Sequence, residues 1–218
     1  MKLKNKLIKE AQKIMSKEDV AHDLSHALRV LNNAEVISSI EGGDIEIIIP
    51  AALFHDIVIY PKNDPRSPLA STESSNIVEK ILIKLKYPKE KISLVKQAII
   101  EHSYSKGIKS NMLESQILQD ADRLECTGAI AIMRSFSSTG QMKRKFYCAD
   151  DPFCDRRKPN TSESTLDFVY SRLLTMKFNT CTATKLAKAR IKFIRIFLKQ
   201  LREEISTPKR LNNLSELQ

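Results

Sequence analysis

The stretch Ala51-Ala-Leu-Phe-His-Asp-Ile57 decides how this chain is read. It ends a run from Ile45 that is apolar nearly all round, the pattern of a central, buried helix, with Asp44 placed to cap its start. Into that run the sequence puts a histidine and an aspartate side by side, His55-Asp56. Neighbouring helical residues point about 100° apart, so the two share no face. They can still meet on one ion that lies beyond the helix end or between their two directions. A neutral imidazole with a carboxylate suits a divalent transition metal.

Outward from this helix the pattern stays helical. Residues 2–17 set Leu3, Leu7, Ile8, Ala11, Ile14 and Met15 on one stripe, an amphipathic helix. Asp19 can cap a second helix through His22, His26, Val30, Ala34 and Ile37, stopping near Gly42-Gly43. Within it His22, His26 and Arg29 fall at i, i+4 and i+7 on one face, with Asp23 beside them. Three prolines between Pro61 and Pro68 read as an irregular loop leaving the His-Asp pair. Ser71 or Thr72 opens a fourth helix, and Pro88 stands at the start of a fifth that ends near His102. A sixth spans Leu113 to about Phe136, with a break expected near Asp120. Ser137 to Asn160 reads as a long irregular segment, a mobile flap or an insertion over the site. Helices over 166–178 and 186–205 follow, and 208–218 reads as a frayed tail. No strand pattern, repeat or interdomain linker is visible. The expectation is an all-α fold, a single domain of about eight or nine helices over residues 1–218.

Composition narrows the classes. The chain has 218 residues, 42% of them apolar, which is enough for a real core, and its five glycines favour helices over a turn-rich β fold. It carries 36 basic and 26 acidic residues, a net +10. Nucleic-acid binding is one reading of that surplus. The lysines are spread along the chain, however, no run of five like charges occurs, and no recognition helix is apparent, so a solvated surface is preferred. Such a field also draws in anionic small molecules. The four cysteines (126, 148, 154 and 181) form no C-x-x-C pair, which leaves neither a zinc ribbon nor a disulfide framework. No apolar stretch is long enough to span a membrane. The expected setting is cytoplasmic and reducing.

All four histidines of the chain, His22, His26, His55 and His102, lie on or at the end of otherwise apolar helices, together with Asp56, Asp120 and Asp122. One such histidine is usually a satisfied core residue. Four, with several aspartates on neighbouring helix segments, are harder to dismiss, because buried carboxylates need partners and a metal supplies one.

These residues resemble the HD-domain metal-dependent phosphohydrolases, whose motif is H…HD…D on separate helices. Here it reads His26, His55-Asp56 and Asp122. The stretch from His22 to Val30 (HDLSHALRV) is similar to the family's opening helix, and Ala51 to Ile57 to its HD helix. Gln119-Asp-Ala-Asp-Arg-Leu-Glu125 with the following Gly128-Ala-Ile-Ala-Ile resembles the last-ligand helix of a subgroup of small stand-alone bacterial HD hydrolases, over about residues 15–204. Two features depart from the pattern. No Glu-Asp pair follows the HD, since Ile57-Val-Ile-Tyr-Pro stands there, and Glu125-Cys126 replaces a more usual Asp and small residue.

The resemblance implies a divalent ion on His26, His55, Asp56 and Asp122, with Asp120 the alternative last ligand. Mn²⁺, Fe²⁺, Co²⁺ or Ni²⁺ suit mixed nitrogen and oxygen ligands, Zn²⁺ also fits, and Mg²⁺ fits poorly. Asp56 doubles as acceptor for the water proton, His22 orients a ligand or the water, and His102 donates to substrate. Lys62 and Arg66, in the proline-rich loop, are the phosphate candidates. Arg29 is a phosphate clamp or a structural partner of Asp23 or Glu125, Asp120 can hold a ligating imidazole, and Arg123 makes a structural salt bridge. The expected activity is hydrolysis of a nucleotide or related phosphate ester, with pyrophosphate release from nucleoside triphosphates preferred. A monophosphatase or phosphodiesterase of the same fold, or a non-catalytic metal- or nucleotide-binding module, is the alternative. A homodimer is compatible with the sequence.

Overall fold

The computed structural model describes residues 2–15, 22–61, 64–103 and 106–206. Among these, nine α-helices and two short 3-10 turns account for the regular structure, and an isolated bridge between Lys145 and Ser164 is the one trace of β pairing. The all-α expectation holds. The described residues group into two compact units.

The first unit comprises the described residues up to Glu125, with 177–185. It holds α1 (Lys2–Ile14), α2 (Leu24–Glu41), α3 (Ile45–Phe54), α4 (Ala70–Lys84), α5 (Lys89–Glu101) and α6 (Leu113–Leu124). Helix α3 is its axis and packs against α1, α2, α4, α5 and α6. Ile47, Ile48 and the whole segment Pro50–Phe54 are buried, as a helix apolar all round requires. Pro50 sits inside α3 and cannot donate to the carbonyl of Glu46 one turn back; the Tyr87 hydroxyl donates to that oxygen instead. Helix α3 ends at Phe54 rather than near residue 57, so His55 is its C-cap and Asp56 lies in the turn beyond.

Helix α2 begins later than expected. Asp23 is its N-cap and accepts from the His26 amide at 2.9 Å, which leaves His22 ahead of the helix. Asp19, expected to cap it, lies outside the described residues, as do Lys62 and residues 208–218. The proline-rich loop closes with a 3-10 turn at Ser67–Leu69 that runs straight into α4, so the helix opens at Ala70 without a side-chain cap. The expected break near Asp120 falls instead after Leu124, where α6 ends.

Among the described residues, the second unit comprises 126–176 and 186–206. It holds α7 (Gly128–Gln141), α8 (Thr165–Ser171) and most of α9 (Cys181–Ser206), around a core of Ala131, Phe153, Leu166, Val169, Leu173, Ile194 and Leu198. Helix α7 runs five residues into the segment read as irregular from Ser137. The helix expected over 166–178 is instead α8 and a separate 3-10 turn, Leu173–Thr175, because Arg172 leaves helical backbone geometry. Residues 142–163 are largely irregular but laced to one buried acid, Asp167. It accepts two Arg157 N–H groups (2.5 and 2.8 Å), the Asn160 amide (2.5 Å) and the Ser164 hydroxyl (2.6 Å).

Candidate metal centre

Three elements of the first unit bring the site together: the first turn of α2 with His26, the C-terminal end of α3 with His55 and Asp56, and the last turn of α6 with Asp122. His26, His55 and Asp56 each offer a ligand atom, all within 4.8 Å of one another. The two Nε2 atoms are 3.3 Å apart. Asp56 Oδ2 lies 3.4 Å from His55 Nε2 and 3.9 Å from His26 Nε2. Asp122 Oδ1 lies 3.6 Å from His26 Nε2 and 3.9 Å from His55 Nε2. Both imidazoles are fully buried, while the Asp56 and Asp122 side chains keep 22% and 24% of their exposure, so the cluster opens to solvent on its carboxylate side.

The far ring nitrogens set the tautomers. His55 Nδ1 donates to the Ala52 carbonyl at 2.9 Å, and His26 Nδ1 faces Glu125 Oε2 at 3.4 Å. With protons on both Nδ1 atoms, both Nε2 atoms present bare lone pairs to each other and to two carboxylates. The two Nε2 lone pairs and one oxygen each of Asp56 and Asp122 converge, an arrangement that a cation resolves. Two nitrogens held by one ion at about 2.1 Å and roughly at right angles stand about 3 Å apart, close to the spacing here. The residues therefore fit a divalent metal.

The electrostatics agree. Burial pushes His55 down to about 4, so its ring is neutral at pH 7. Burial also pushes the Asp56 carboxyl up, but His55 and His102 outweigh it and hold the group well below the usual carboxylate range. His102 is the partner that remains protonated when His55 is neutral. Its Nδ1 donates to the Ile99 carbonyl at 2.6 Å and its Nε2 lies 3.3 Å from Asp56 Oδ1. Two acceptors on one ring favour the imidazolium. Burial pulls the His102 pKa down, and the hydrogen bond and charge of Asp56, with the Asp122 charge and the Ile99 carbonyl, together more than restore it, leaving it raised. Asp56 thus turns one oxygen to the acceptor cluster and the other to His102.

The remaining candidates are placed as follows. The His22 ring stands edge-on to His26 with centroids 5.6 Å apart, although it precedes the helix. Arg66 is largely exposed, forms a two-toothed pair with Asp64 (3.0 and 2.8 Å), and lies over the Tyr60 ring. Arg29 Nε donates to Glu125 at 2.7 Å, which takes the guanidinium away from a free phosphate clamp. Asp120 does not hold an imidazole. Its buried carboxylate accepts the amides of Asn179 and Thr180 and the Thr180 hydroxyl, fixing the start of α9, and Arg123 pairs with it at 3.6 Å. The acid facing the far nitrogen of His26 is Glu125. No local pattern marks it, because it meets His26 across 99 residues of sequence.

Comparison with known proteins gives this geometry a family. The HD domain family matches residues 23–127, the part of the chain that carries all four acceptors of the cluster. YpgQ of Bacillus subtilis (strain 168) is 30% identical over 200 residues, 89% of each chain. The solved structure of YpgQ in complex with ADP superposes with a TM-score of 0.71 at 28% identity, covering 93% of this chain and 98% of that one. The Lin1889 protein of Listeria innocua gives a TM-score of 0.70 at 30% identity over 93% and 97% of the two chains. An HD-superfamily hydrolase of Bacillus thuringiensis gives 0.72 at 28% over 93% and 96%. These proteins share both sequence and fold with nearly the whole chain, and the chain belongs to the HD-domain family.

Proposed function

We propose that this protein is a metal-dependent phosphohydrolase that releases pyrophosphate from nucleoside triphosphates. The observation that carries the reading is the convergence of two imidazole Nε2 atoms and two carboxylate oxygens within ligand distance of one point, open to solvent on the carboxylate side. The complex of YpgQ with ADP supports a nucleotide as the ligand class. His26, His55, Asp56 and Asp122 would hold the ion. A bound divalent ion lowers the pKa of a water and offsets charge developing on phosphorus. Mn²⁺, Fe²⁺, Co²⁺, Ni²⁺ and Zn²⁺ suit two imidazoles better than Mg²⁺ does.

The chain supplies the proton handling. Water oxygen bonds to the α-phosphorus, the bond from that phosphorus to the α–β bridging oxygen breaks, and pyrophosphate leaves. The water proton passes to Asp56, which His102 keeps ionised and oriented. His22 flanks the cluster beside His26. Phosphate and pyrophosphate release from a nucleotide panel, with each metal added to stripped protein, tests the reading. Metal-dependent pyrophosphate release, lost in Asp56→Ala, is the expected result. Orthophosphate release instead would make the protein a phosphatase. Metal binding without any release would make it a non-catalytic module.

A further inference from the structure

The two imidazoles of the cluster are alike at Nε2 and different at Nδ1. His55 is held by a neutral backbone carbonyl of its own helix. His26 faces a carboxylate that arrives from α6, 99 residues away. Glu125 is only 2% exposed, and its Oε2 is shared by Arg29 Nε at 2.7 Å and His26 Nδ1 at 3.4 Å. Burying a carboxylate this deeply is costly without partners. One arm, Arg29, meets that cost. The other arm is the far side of a ring whose near side points into the acceptor cluster.

A carboxylate behind an imidazole fixes the ring in the Nδ1–H tautomer and draws that proton outward, which makes Nε2 a stronger electron donor; a backbone carbonyl does this less. We infer that Glu125, held in place by Arg29, is a positioning residue that makes His26 the stronger of the two imidazole donors to the metal. Arg29 acts through Glu125, and its commitment there explains why a half-buried guanidinium beside the cluster is spoken for before any phosphate arrives. The Leu124–Gly128 interval, where α6 ends and α7 begins, then has a functional reason to place an acid at 125: the chain turns there and aims the side chain back at α2.

The inference rests on the metal-binding reading above, and its test separates the two. Co²⁺ is titrated into metal-stripped wild type, Glu125→Gln, Arg29→Gln and the double variant, with affinity by calorimetry and the Co²⁺ visible spectrum recorded. Glu125→Gln is expected to weaken Co²⁺ by at least about tenfold and to shift its ligand-field bands, as loss of an outer partner does. Arg29→Gln, at a half-exposed position, should weaken it less. The double variant should be no worse than Glu125→Gln, because Arg29 acts through that carboxylate. Wild-type affinity and spectrum in a folded Glu125→Gln protein overturn the inference and leave the metal reading intact, as does an Arg29→Gln defect that adds in full to that of Glu125→Gln. If Glu125→Gln does not fold, Arg29→Gln decides, with unchanged affinity and bands overturning the inference. No Co²⁺ binding by wild type overturns both.

Discussion

Asp167 in the second unit and Asp56 in the first are both acids set among packed helices, and the protein surrounds them in opposite ways. Asp167 meets donors everywhere: two from Arg157, the Asn160 amide, the Ser164 hydroxyl, and the Cys154 thiol at 3.5 Å. Every lone pair has a use, and the group ties residues 154–164 to the start of α8. Among the described residues, Asp56 meets the His102 donor at Oδ1. Its Oδ2 faces two imidazole nitrogens whose protons are on the far side of their rings. The difference teaches how to read a buried acid. Burial says little by itself, and the polarity of the facing atoms says whether the group finishes a fold or waits for a cation.

The sharpest way to break the comparison is to remove one acid from each set. Asp56→Ala should abolish metal-dependent hydrolysis, a fall of about a thousandfold or more from losing both a ligand and a proton acceptor. Its thermal stability without metal should fall by less than that of Asp167→Asn, because loss of the His102 pair is offset by relief of the acceptor cluster. A marked loss of metal-free stability, read by calorimetry, would mean that Asp56 finishes the fold after all.

His102→Gln comes next. It removes the partner of Asp56 Oδ1 without touching the Nε2 pair, so kcat should fall by about a hundredfold while Co²⁺ affinity changes little. A steady-state assay beside a metal titration checks both. Equal losses of kcat and affinity would place His102 among the ligands.

Asp167→Asn should do the reverse of Asp56→Ala, costing about 3 kcal/mol of stability by stranding Arg157 while a folded sample keeps its metal site. Arg157 holds the Asp167 carboxyl well below the usual range, against burial, which pushes it up. A depressed acid contributes its stability in full above the ordinary carboxylate pKa, and that contribution fades as pH falls toward the native value. Wild type should therefore lose stability on acidification below about pH 4, and the variant should show a shallower acid limb in urea midpoints at pH 7 and pH 3.

The smallest expected effect belongs to Tyr87→Phe. It leaves the Glu46 carbonyl, already deprived of a donor by Pro50, without the Tyr87 hydroxyl. The loss should be about 1 kcal/mol by denaturant unfolding, with no change in metal affinity.

These contrasts also mark what the sequence could tell. The α3 axis was legible because a helix apolar on every side has to be central, while the adjacency of His55 and Asp56 left open whether they meet beyond the helix end or between their two directions, and the structure puts both at the helix end. His26 was legible from its place among the apolar positions of α2. The start of that helix was not, since Asp19 and Asp23 are both competent caps and periodicity alone does not choose between them. The break between α6 and α7 was hidden by apolar spacing that runs through it. Gly128 adopts φ +71°, and a Cβ there would meet the Arg190 side chain at 3.2 Å, so its backbone freedom is what turns the chain. Arg29 was legible as a candidate partner of Glu125, but the His26 contact of Glu125 and the Asn179 and Thr180 partners of Asp120 were out of reach because they lie 59 or more residues away. The lysines are spread along the chain, but the balance of charge is not. Residues 1–125 hold 18 basic and 18 acidic side chains, and residues 126–218 hold 18 and 8, so the whole +10 surplus falls after α6 and none of it within the stretch that carries the acceptor cluster.

The measurement that bears most directly on the account is the metal content of chelator-stripped protein after reconstitution with Mn²⁺ or Co²⁺ and removal of excess ion, for wild type, His55→Ala and Asp167→Asn. One ion per chain in wild type and in Asp167→Asn, with none retained by His55→Ala, is the predicted result. No retained ion in wild type, or an ion retained equally by His55→Ala, would contradict the claim that the acceptor cluster is a metal centre.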